Sequence, residues 1–108
     1  MYVVTLCINV PPKRHKDFME AIHSFLEPCR VQPGCNHCSF YQEFDNSDSV
    51  ILLQEWDSRD ALEKHLKSRE FRIILSIIDL SDLAPVYKLH TVSKIEGLEA
   101  VETLRLEA

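Results

Sequence analysis

Four cysteines are the residues of this sequence whose types and spacing most directly suggest chemistry. Cys35 and Cys38 are separated by two residues, as in a metal-binding knuckle or a redox pair, and Cys29 lies six residues upstream. A closed zinc site normally needs two separated pairs of ligands, and the second pair is missing because Cys7 is isolated. A thioredoxin-type pair should begin a helix, whereas Cys35 follows a Pro-Gly turn and begins a strand. We therefore expect reduced thiols, with metal and redox roles as the alternatives.

One of the five histidines occupies a position where an imidazole could act as a base. His65 follows Ala61 by four residues and falls on the side of a predicted helix that otherwise packs. Its unperturbed pKa of about 6.5 suits proton transfer at neutral pH. Trp56 ends the preceding strand and can form a wall or donate from its indole N–H. The alternative is that His65 is bonded at the edge of the core and that Trp56 is a core aromatic.

Strands and helices must alternate to position these residues, because the hydrophobic period changes along the chain. The predicted elements are a strand at 2–10, a helix from 13 to the turn at 32–34, a strand at 35–44, a polar turn at 45–48, a strand at 50–56, a helix capped by Ser58, a second helical segment from Ser68, a loop at 79–85, a strand at 86–95 and a tail helix after Gly97. Pro28 is expected to disturb the last turn of the first helix.

The predicted order is strand, helix, strand, strand, helix, strand, which is the split βαβ pattern of ferredoxin-like α+β domains. Both helices would cover one face of a four-stranded antiparallel sheet. The strands carry apolar residues on both faces, for example Val3 opposite Val4, so the bare face would be a large apolar patch. We therefore predict a homodimer packed sheet to sheet, with the apolar stripe of the tail helix reaching the partner or an edge strand. The alternative is a monomer whose tail folds back over its own sheet.

Length and composition narrow the class of protein. The 108 residues predict a single domain, with a ferredoxin-like core at 1–95 and a tail helix at 96–108. Two glycines are too few for a dinucleotide fingerprint or a phosphate loop. Seventeen acidic and twelve basic residues, interleaved throughout, argue against nucleic-acid binding. The longest aliphatic run is four residues and no export signal is visible, so we expect a cytoplasmic protein that does not enter a membrane.

Three segments of the chain carry a resemblance to a known family. They are Ile8-Asn9-Val10 before a Lys-rich helix start, Pro33-Gly34-Cys35 at the start of the second strand, and the stretch QEWDSRDALEKHLKS at 54–68. Together they resemble the antibiotic biosynthesis monooxygenase family of dimeric α+β barrel proteins, over residues 1 to about 95. Members of that family include quinol and anthrone monooxygenases that use no cofactor, heme-degrading enzymes and isomerases of small acids.

Two branches of the family can be compared with this chain residue by residue. Resemblance to the heme-degrading members would imply an Asn in strand one, a Trp at the end of strand three and a His late in helix two. Trp56 fits, but the His position falls at about Leu75 and the Asn position at or near Leu6. Leucine cannot ligate iron, so we expect no heme. Anthrone-oxidising members tend to carry an amide about a turn before the Trp, and Gln54 is the only amide nearby.

The resemblance implies a cofactor-independent monooxygenase acting on a small electron-rich aromatic, quinol or enol substrate, without metal. Such chemistry needs a dry pocket, a base and a donor for the substrate oxyanion. We expect His65 to be the base, beside Trp56, with Asn9 as oxyanion donor. The substrate-binding residues expected in the same cleft are Tyr41 and His90, placed on middle strands, and Phe71. An isomerase or lyase using the same His, and a non-catalytic small-molecule-binding module, are the alternatives.

Overall fold

The computed structural model describes residues 1–107, so Ala108, the last residue of the predicted tail helix, lies outside the described residues. A single 3₁₀ turn at Pro12–Arg14 precedes the first helix. The elements are β1 (Tyr2–Asn9), α1 (His15–Arg30), β2 (Cys35–Glu43), β3 (Asn46–Trp56), α2 (Arg59–Leu66), α3 (Arg69–Ile78), β4 (Val86–Thr91) and α4 (Leu98–Glu107). Within residues 1–107, no helix combines the length and apolarity needed to cross a lipid bilayer.

The four strands form one sheet in the order β2-β3-β1-β4, and every neighbouring pair is antiparallel. This is the ferredoxin-like α+β arrangement predicted from the order of elements. The central strands are β1 and β3, while β2 and β4 lie at the edges. The placement of Tyr41 and His90 on middle strands is therefore wrong, because Tyr41 belongs to β2 and His90 to β4.

Alternation along the central strands gives the sheet two different faces. On the helix-covered face, Val4 and Leu6 of β1 and Leu52 of β3 are fully buried. Helix α1 packs Phe18 and Phe25 against this face, and Phe40 of β2 meets both rings edge-on at centroid distances of 5.6 and 5.9 Å. The residues that point to the other side, called here the open face, are Val3, Thr5, Cys7 and Asn9 of β1 and Ile51, Leu53 and Glu55 of β3. No helix within residues 1–107 buries them.

The start of α2 is fixed by a cap and by a close backbone approach. The Ser58 hydroxyl accepts from the backbone N–H of Ala61 at 3.2 Å, which confirms Ser58 as the predicted N-cap. Gly34 has a φ of +83°, and a Cβ there would clash with the Cβ of Ala61. The Gly34 carbonyl also accepts from the backbone N–H of Asp57 at 2.9 Å. Through these contacts the first turn of α2 packs closely against the start of β2. His65 lies one helical turn after Ala61.

Several predicted boundaries differ from the structure. Helix α1 continues through Pro28 to Arg30, because a proline near the end of a helix costs only one intrahelical hydrogen bond. Strand β3 begins at Asn46, inside the predicted polar turn, because its backbone pairs with Glu43 of β2 there. Strand β4 ends at Thr91 instead of residue 95, because its partner β1 begins at Tyr2, opposite Thr91.

The tail forms the predicted helix α4, and its apolar side chains are uncovered in the single chain. The large apolar residues of this helix are all exposed: Leu98, Val101, Leu104 and Leu106. Strand β4 is exposed along its whole length as well. The tail does not fold back over its own sheet, and its predicted contact with a partner stays a prediction.

Candidate functional site

His65 is deeply buried on the helix-covered face, with 1% of its surface exposed. Its ring stacks on the indole of Trp56 at a centroid distance of 4.4 Å and an interplanar angle of 26°. On its other side, Phe71 meets the imidazole edge-on at 5.8 Å. The structure therefore brings together three residues predicted from sequence, one each from β3, α2 and α3.

Hydrogen bonds to both ring nitrogens define the state of the His65 imidazole. Nδ1 lies 2.8 Å from Oε1 of Gln32, and an amide oxygen only accepts, so Nδ1 carries the proton. Nε2 lies 3.3 Å from Nε2 of Gln54 and accepts from it. Burial lowers the pKa of His65 to about 4, and the nearby Glu70 carboxylate opposes that shift. The imidazole is therefore neutral at pH 7.

A hydrogen-bonded series of side chains links His65 to the protein surface. Nε2 of Gln32 donates to Oε2 of Glu70 at 2.9 Å, and Oε1 of Gln32 accepts from His65. Gln32 and Glu70 are both partly exposed. This relay holds one tautomer of His65 and connects its imidazole to a carboxylate through a single amide.

Gln54 is the functional side chain that sequence reasoning weighed only as a family amide. It is 1% exposed and lies on the helix-covered face between Leu52 and Trp56. Its Oε1 has no hydrogen-bond partner in residues 1–107, and the same holds for Nε1 of Trp56. Buried polar atoms without partners are uncommon and need an explanation. The signal in the sequence was an amide at an alternating position that is otherwise apolar.

Three cysteines lie near the Gln54 amide, where α1 ends and β2 begins. Nε2 of Gln54 lies 3.5 Å from Sγ of Cys29 and 3.8 Å from Sγ of Cys38. Cys35, half-buried at the start of β2, completes what we call the thiol cluster, Cys29, Cys35 and Cys38. Within residues 1–107, no group of three or more His, Cys, Asp or Glu side chains is arranged to hold a metal ion.

The oxyanion donor predicted at Asn9 lies on the opposite side of the sheet from His65. Asn9 occupies an odd position of β1, so it belongs to the open face. Its amide nitrogen donates to Oδ1 of Asp82 at 2.7 Å. Asn9 lines a pocket of about 240 Å³ at the starts of β3 and β4. His65 is not among the residues that line this pocket. The prediction that Asn9 shares the cleft of His65 is wrong.

Tyr41 and His90 are also separated from His65 by the sheet. Tyr41 pairs in register with Ile51 and His90 with Val3, which are both open-face positions. Tyr41 is 44% exposed, and its hydroxyl lies 2.9 Å from Nε2 of His37. His90 is exposed. The prediction that these two side chains reach the His65 cleft is wrong, because a strand period of two residues turns them outward.

A large groove lies between α1 and β2. Its volume is about 470 Å³, and Phe18, Met19, Phe40 and Tyr41 are among its lining residues. Among residues 1–107, neither His65 nor Trp56 lines this groove or the smaller pockets at the α1–β2 junction, on α4, and at the starts of β3 and β4. The space beside the imidazole, where a dry pocket was expected, is filled by protein side chains. A ligand therefore reaches His65 only after local movement.

Comparison with known proteins defines the class. The sequence model of the family described as antibiotic biosynthesis monooxygenase matches residues 1–74. The chain therefore belongs to the antibiotic biosynthesis monooxygenase family, as the resemblance predicted. The match extends from β1 into α3 and includes Gln54, Trp56 and His65.

One curated relative and several solved structures are similar to this chain. The relative is the uncharacterized protein sll1783 of Synechocystis, 33% identical over 69 residues. The match covers 64% of this chain and 47% of that protein, so the chain spans about half the length of the relative.

The solved structures support the fold alone, since their sequence identities are low. A conserved protein from Methanosarcina mazei is 24% identical with a TM-score of 0.77, covering 82% of this chain and 89% of that chain. A structure described as antibiotic biosynthesis monooxygenase is 18% identical with a TM-score of 0.76, covering 87% and 100%. Rv0793 from Mycobacterium tuberculosis is 16% identical with a TM-score of 0.77, covering 89% and 98%.

Proposed function

We propose that this protein is a cofactor-independent monooxygenase of a small electron-rich aromatic, quinol or enol substrate, with His65 as the base. The substrate loses a proton, its carbanion reacts with O₂, and a new C–O bond forms. Cleavage of the O–O bond then leaves one oxygen on the product and releases the other as water. The substrate supplies all four electrons that reduce O₂, so the protein contributes only proton transfer, charge stabilisation and exclusion of water.

The state of His65 supports its assignment as the base. The imidazole is neutral at pH 7 and presents Nε2 as the accepting nitrogen, because Nδ1 is occupied by Gln32. After proton transfer, the Glu70 carboxylate stabilises the imidazolium through the Gln32 amide. A substrate O–H or C–H would take the position at Nε2 that the Gln54 amide now holds.

The observation that carries the proposal is the unpartnered indole N–H of Trp56 beside this base. Nε1 of Trp56 is a buried donor, and the ring that bears it stacks on His65 at 4.4 Å. A donor without a partner in a water-poor site costs free energy unless a ligand accepts from it. We infer that a substrate oxyanion accepts from this N–H and from the Gln54 amide once that amide leaves His65.

Substrate access follows from the burial of His65. The helices α2 and α3 carry His65 and Phe71 and lie over Trp56. We propose that these two helices move away from the sheet when substrate binds and close again over it, with Phe71 as an apolar wall.

We further propose that two copies of the chain pack through their open faces. Val3, Ile51 and Leu53 are only partly buried there, and no helix within residues 1–107 covers them. A Leu53→Glu substitution is expected to yield monomers in analytical ultracentrifugation, because it buries two charges at the interface. Met19→Glu, on the exposed side of α1, is the matched control and should leave the dimer intact. A wild-type monomer would contradict the proposal.

The cytoplasmic location, the single-domain organisation and the absence of a nucleic-acid partner stay predictions.

Oxygen consumption tests the proposed function. The purified protein is mixed with a panel of anthrones, quinols and enolisable ketones, and uptake of O₂ is followed together with ¹⁸O incorporation into product. His65→Gln is expected to lower the rate by about 10²–10⁴-fold, the usual contribution of a general base. His23→Gln, an exposed histidine of α1, should retain the wild-type rate.

Three outcomes of that experiment contradict the proposal. Unchanged uptake in His65→Gln removes the assigned base. Exchange of substrate protons with solvent deuterium, without O₂ uptake, identifies an isomerase or lyase that uses the same imidazole. Binding of panel compounds without either reaction identifies a non-catalytic binding module. Circular dichroism of each variant separates loss of the base from loss of the fold.

A further inference from the structure

Three of the four cysteines meet where α1 ends and β2 begins. Cys29 is fully buried in the last turn of α1, and Cys38 is 2% exposed in β2. The Cys29 thiol interacts with the thiols of both Cys38 and Cys35. Cys7 lies apart from them, exposed on the open face. The thiol cluster is therefore a local group of like side chains that the reaction proposed for His65 does not use.

A shared donor brings two of these sulfurs to the same point. Nε2 of Gln54 is within 3.8 Å of Sγ of both Cys29 and Cys38, so the side chains of a helix and a strand converge on one amide nitrogen. A disulfide requires the sulfurs to close to about 2 Å. Since both sulfurs lie within 3.8 Å of one nitrogen atom, they are at most about 7 Å apart before any rearrangement.

A small polar pocket opens onto the cluster from the outside. Its volume is about 180 Å³, and its lining residues include Cys35, Cys38 and Arg30. The Arg30 guanidinium donates to the carbonyl of Cys38 at 2.9 Å and to the Ser39 hydroxyl at 3.2 Å, which fixes a positive charge beside the Cys38 thiol. A neutral oxidant of two heavy atoms fits this pocket.

The thiols differ in character as well as in position. The thiol of Cys29 donates to Cys38, and together with the Gln54 amide and Arg30 this lowers the pKa of Cys38. The same donation and burial raise the pKa of Cys29. Cys38 lines the polar pocket beside Arg30, whereas Cys29 does not line it, so we assign Cys38 as the nucleophile and Cys29 as the thiol that resolves it.

The geometry points to a peroxide-reactive modification site in which Cys38 is oxidised and Cys29 captures it as an intramolecular disulfide. In the first step the Cys38 thiolate attacks one oxygen of hydrogen peroxide, the O–O bond breaks, and Cys38 sulfenic acid forms with hydroxide, which takes up a proton to become water. In the second step the Cys29 sulfur attacks the Cys38 sulfur, the S–O bond breaks, and a second water leaves with the thiol proton. Two thiols are oxidised and one peroxide is reduced. This inference does not depend on the function proposed for His65.

Peptide mapping of the full-length protein tests the site. The protein is treated with hydrogen peroxide, remaining thiols are alkylated, and the sample is digested with trypsin without reduction. Cleavage after Arg30 places Cys29 on one peptide and both Cys35 and Cys38 on the next. The expected result is one cross-linked pair of these peptides, lighter by two hydrogens than their sum and abolished by a reductant.

Single substitutions assign the two sulfurs. Cys35→Ser and Cys7→Ser should retain the cross-link, whereas Cys38→Ser should lose it. In Cys29→Ser the sulfenic acid should persist at Cys38 and be trapped by dimedone. A cross-link that survives Cys38→Ser, or oxidation of Cys7 while Cys29 and Cys38 stay reduced, would overturn the inference. Fragmentation of the wild-type cross-linked pair should locate the alkyl group on Cys35, which assigns the bond to Cys38 even if a serine variant folds poorly; an alkyl group on Cys38 would contradict the inference.

Discussion

Polar side chains have different surroundings on the two faces of the sheet. On the helix-covered side, Gln54 and His65 are each 1% exposed, and their side chains are hydrogen-bonded to each other. On the open face, Asn9 and Tyr41 each bond to one nearby side chain and remain in contact with solvent. Burial couples the first group into a single unit whose protonation and stability change together, while exposure leaves the second group independent. The two sides should therefore respond differently to the same kind of substitution.

The largest difference is expected for aromatic truncation. Trp56→Ala removes a fully buried ring that stacks on His65 and should lower the free energy of unfolding by about 3–5 kcal/mol. Tyr41→Ala removes a ring that is 44% exposed and should cost less than about 1 kcal/mol. Urea unfolding of both variants measures the two values. Equal losses would contradict the contrast between the faces.

The second difference is expected in the response to pH. The pKa of His65 is lowered from 6.5 in the unfolded chain to about 4 in the folded protein, so the unfolded state binds more protons in that window. The stability contributed by the neutral imidazole is complete above pH 6.5 and is lost as the pH falls through about 4, which amounts to about 3 kcal/mol.

Comparison of variants isolates this contribution from the carboxylates that titrate in the same range. The unfolding free energies of wild type and His65→Gln are expected to converge as the pH falls from 7 to 4. His90→Gln, at an exposed position of the open face, should give a curve parallel to that of the wild type. If the His65→Gln curve also stays parallel, the imidazole does not titrate as described. Activity should fall through the same low pH, since protonated His65 cannot accept a proton.

The smallest effect is expected at the outer end of the relay. Glu70 raises the pKa of His65, opposing burial, and Glu70→Gln keeps the shape of the side chain while removing its charge. We expect a small further decrease in the pKa of His65, measured by NMR titration of the imidazole signals. Glu63→Gln, on the outer side of α2 and paired with Arg59, is the matched control. An increase in the pKa of His65 on Glu70→Gln would exclude the relay.

The sequence was sufficient to predict the order of elements and the single antiparallel sheet, because these depend on periodicity and on turn residues. The family was predicted separately, from the resemblance of three segments to known members. Ser58 is an example, since a serine before an amphipathic run marks a helix start whatever packs on it. The stack of His65 on Trp56 was also predictable, because both residues fall on the apolar side of consecutive elements. These features are local or follow from alternation alone.

The composition of the site was less accessible from sequence. Asn9, Tyr41 and His90 were grouped with His65 by residue type, but strand register places all three on the open face, and register depends on pairing between distant segments. Gln32 and Glu70 reach His65 from the end of α1 and the start of α3, and their sequence positions give no sign of this. The absence of a pocket beside His65 could not be predicted either, because it depends on how side chains from several elements pack together.

The tight approach of Gly34 to Ala61 has a mechanical consequence for both reactive regions. Cys35 of the thiol cluster follows Gly34 by one residue, and His65 follows Ala61 by one turn of the same helix. Any side chain larger than hydrogen at residue 34 would act as a wedge, lifting helix and strand apart. The close packing that the absent Cβ of Gly34 permits thus holds the His65 imidazole and the cysteine sulfurs in place. A Gly34→Ala protein should therefore lose both the oxygenase activity and the reaction with peroxide.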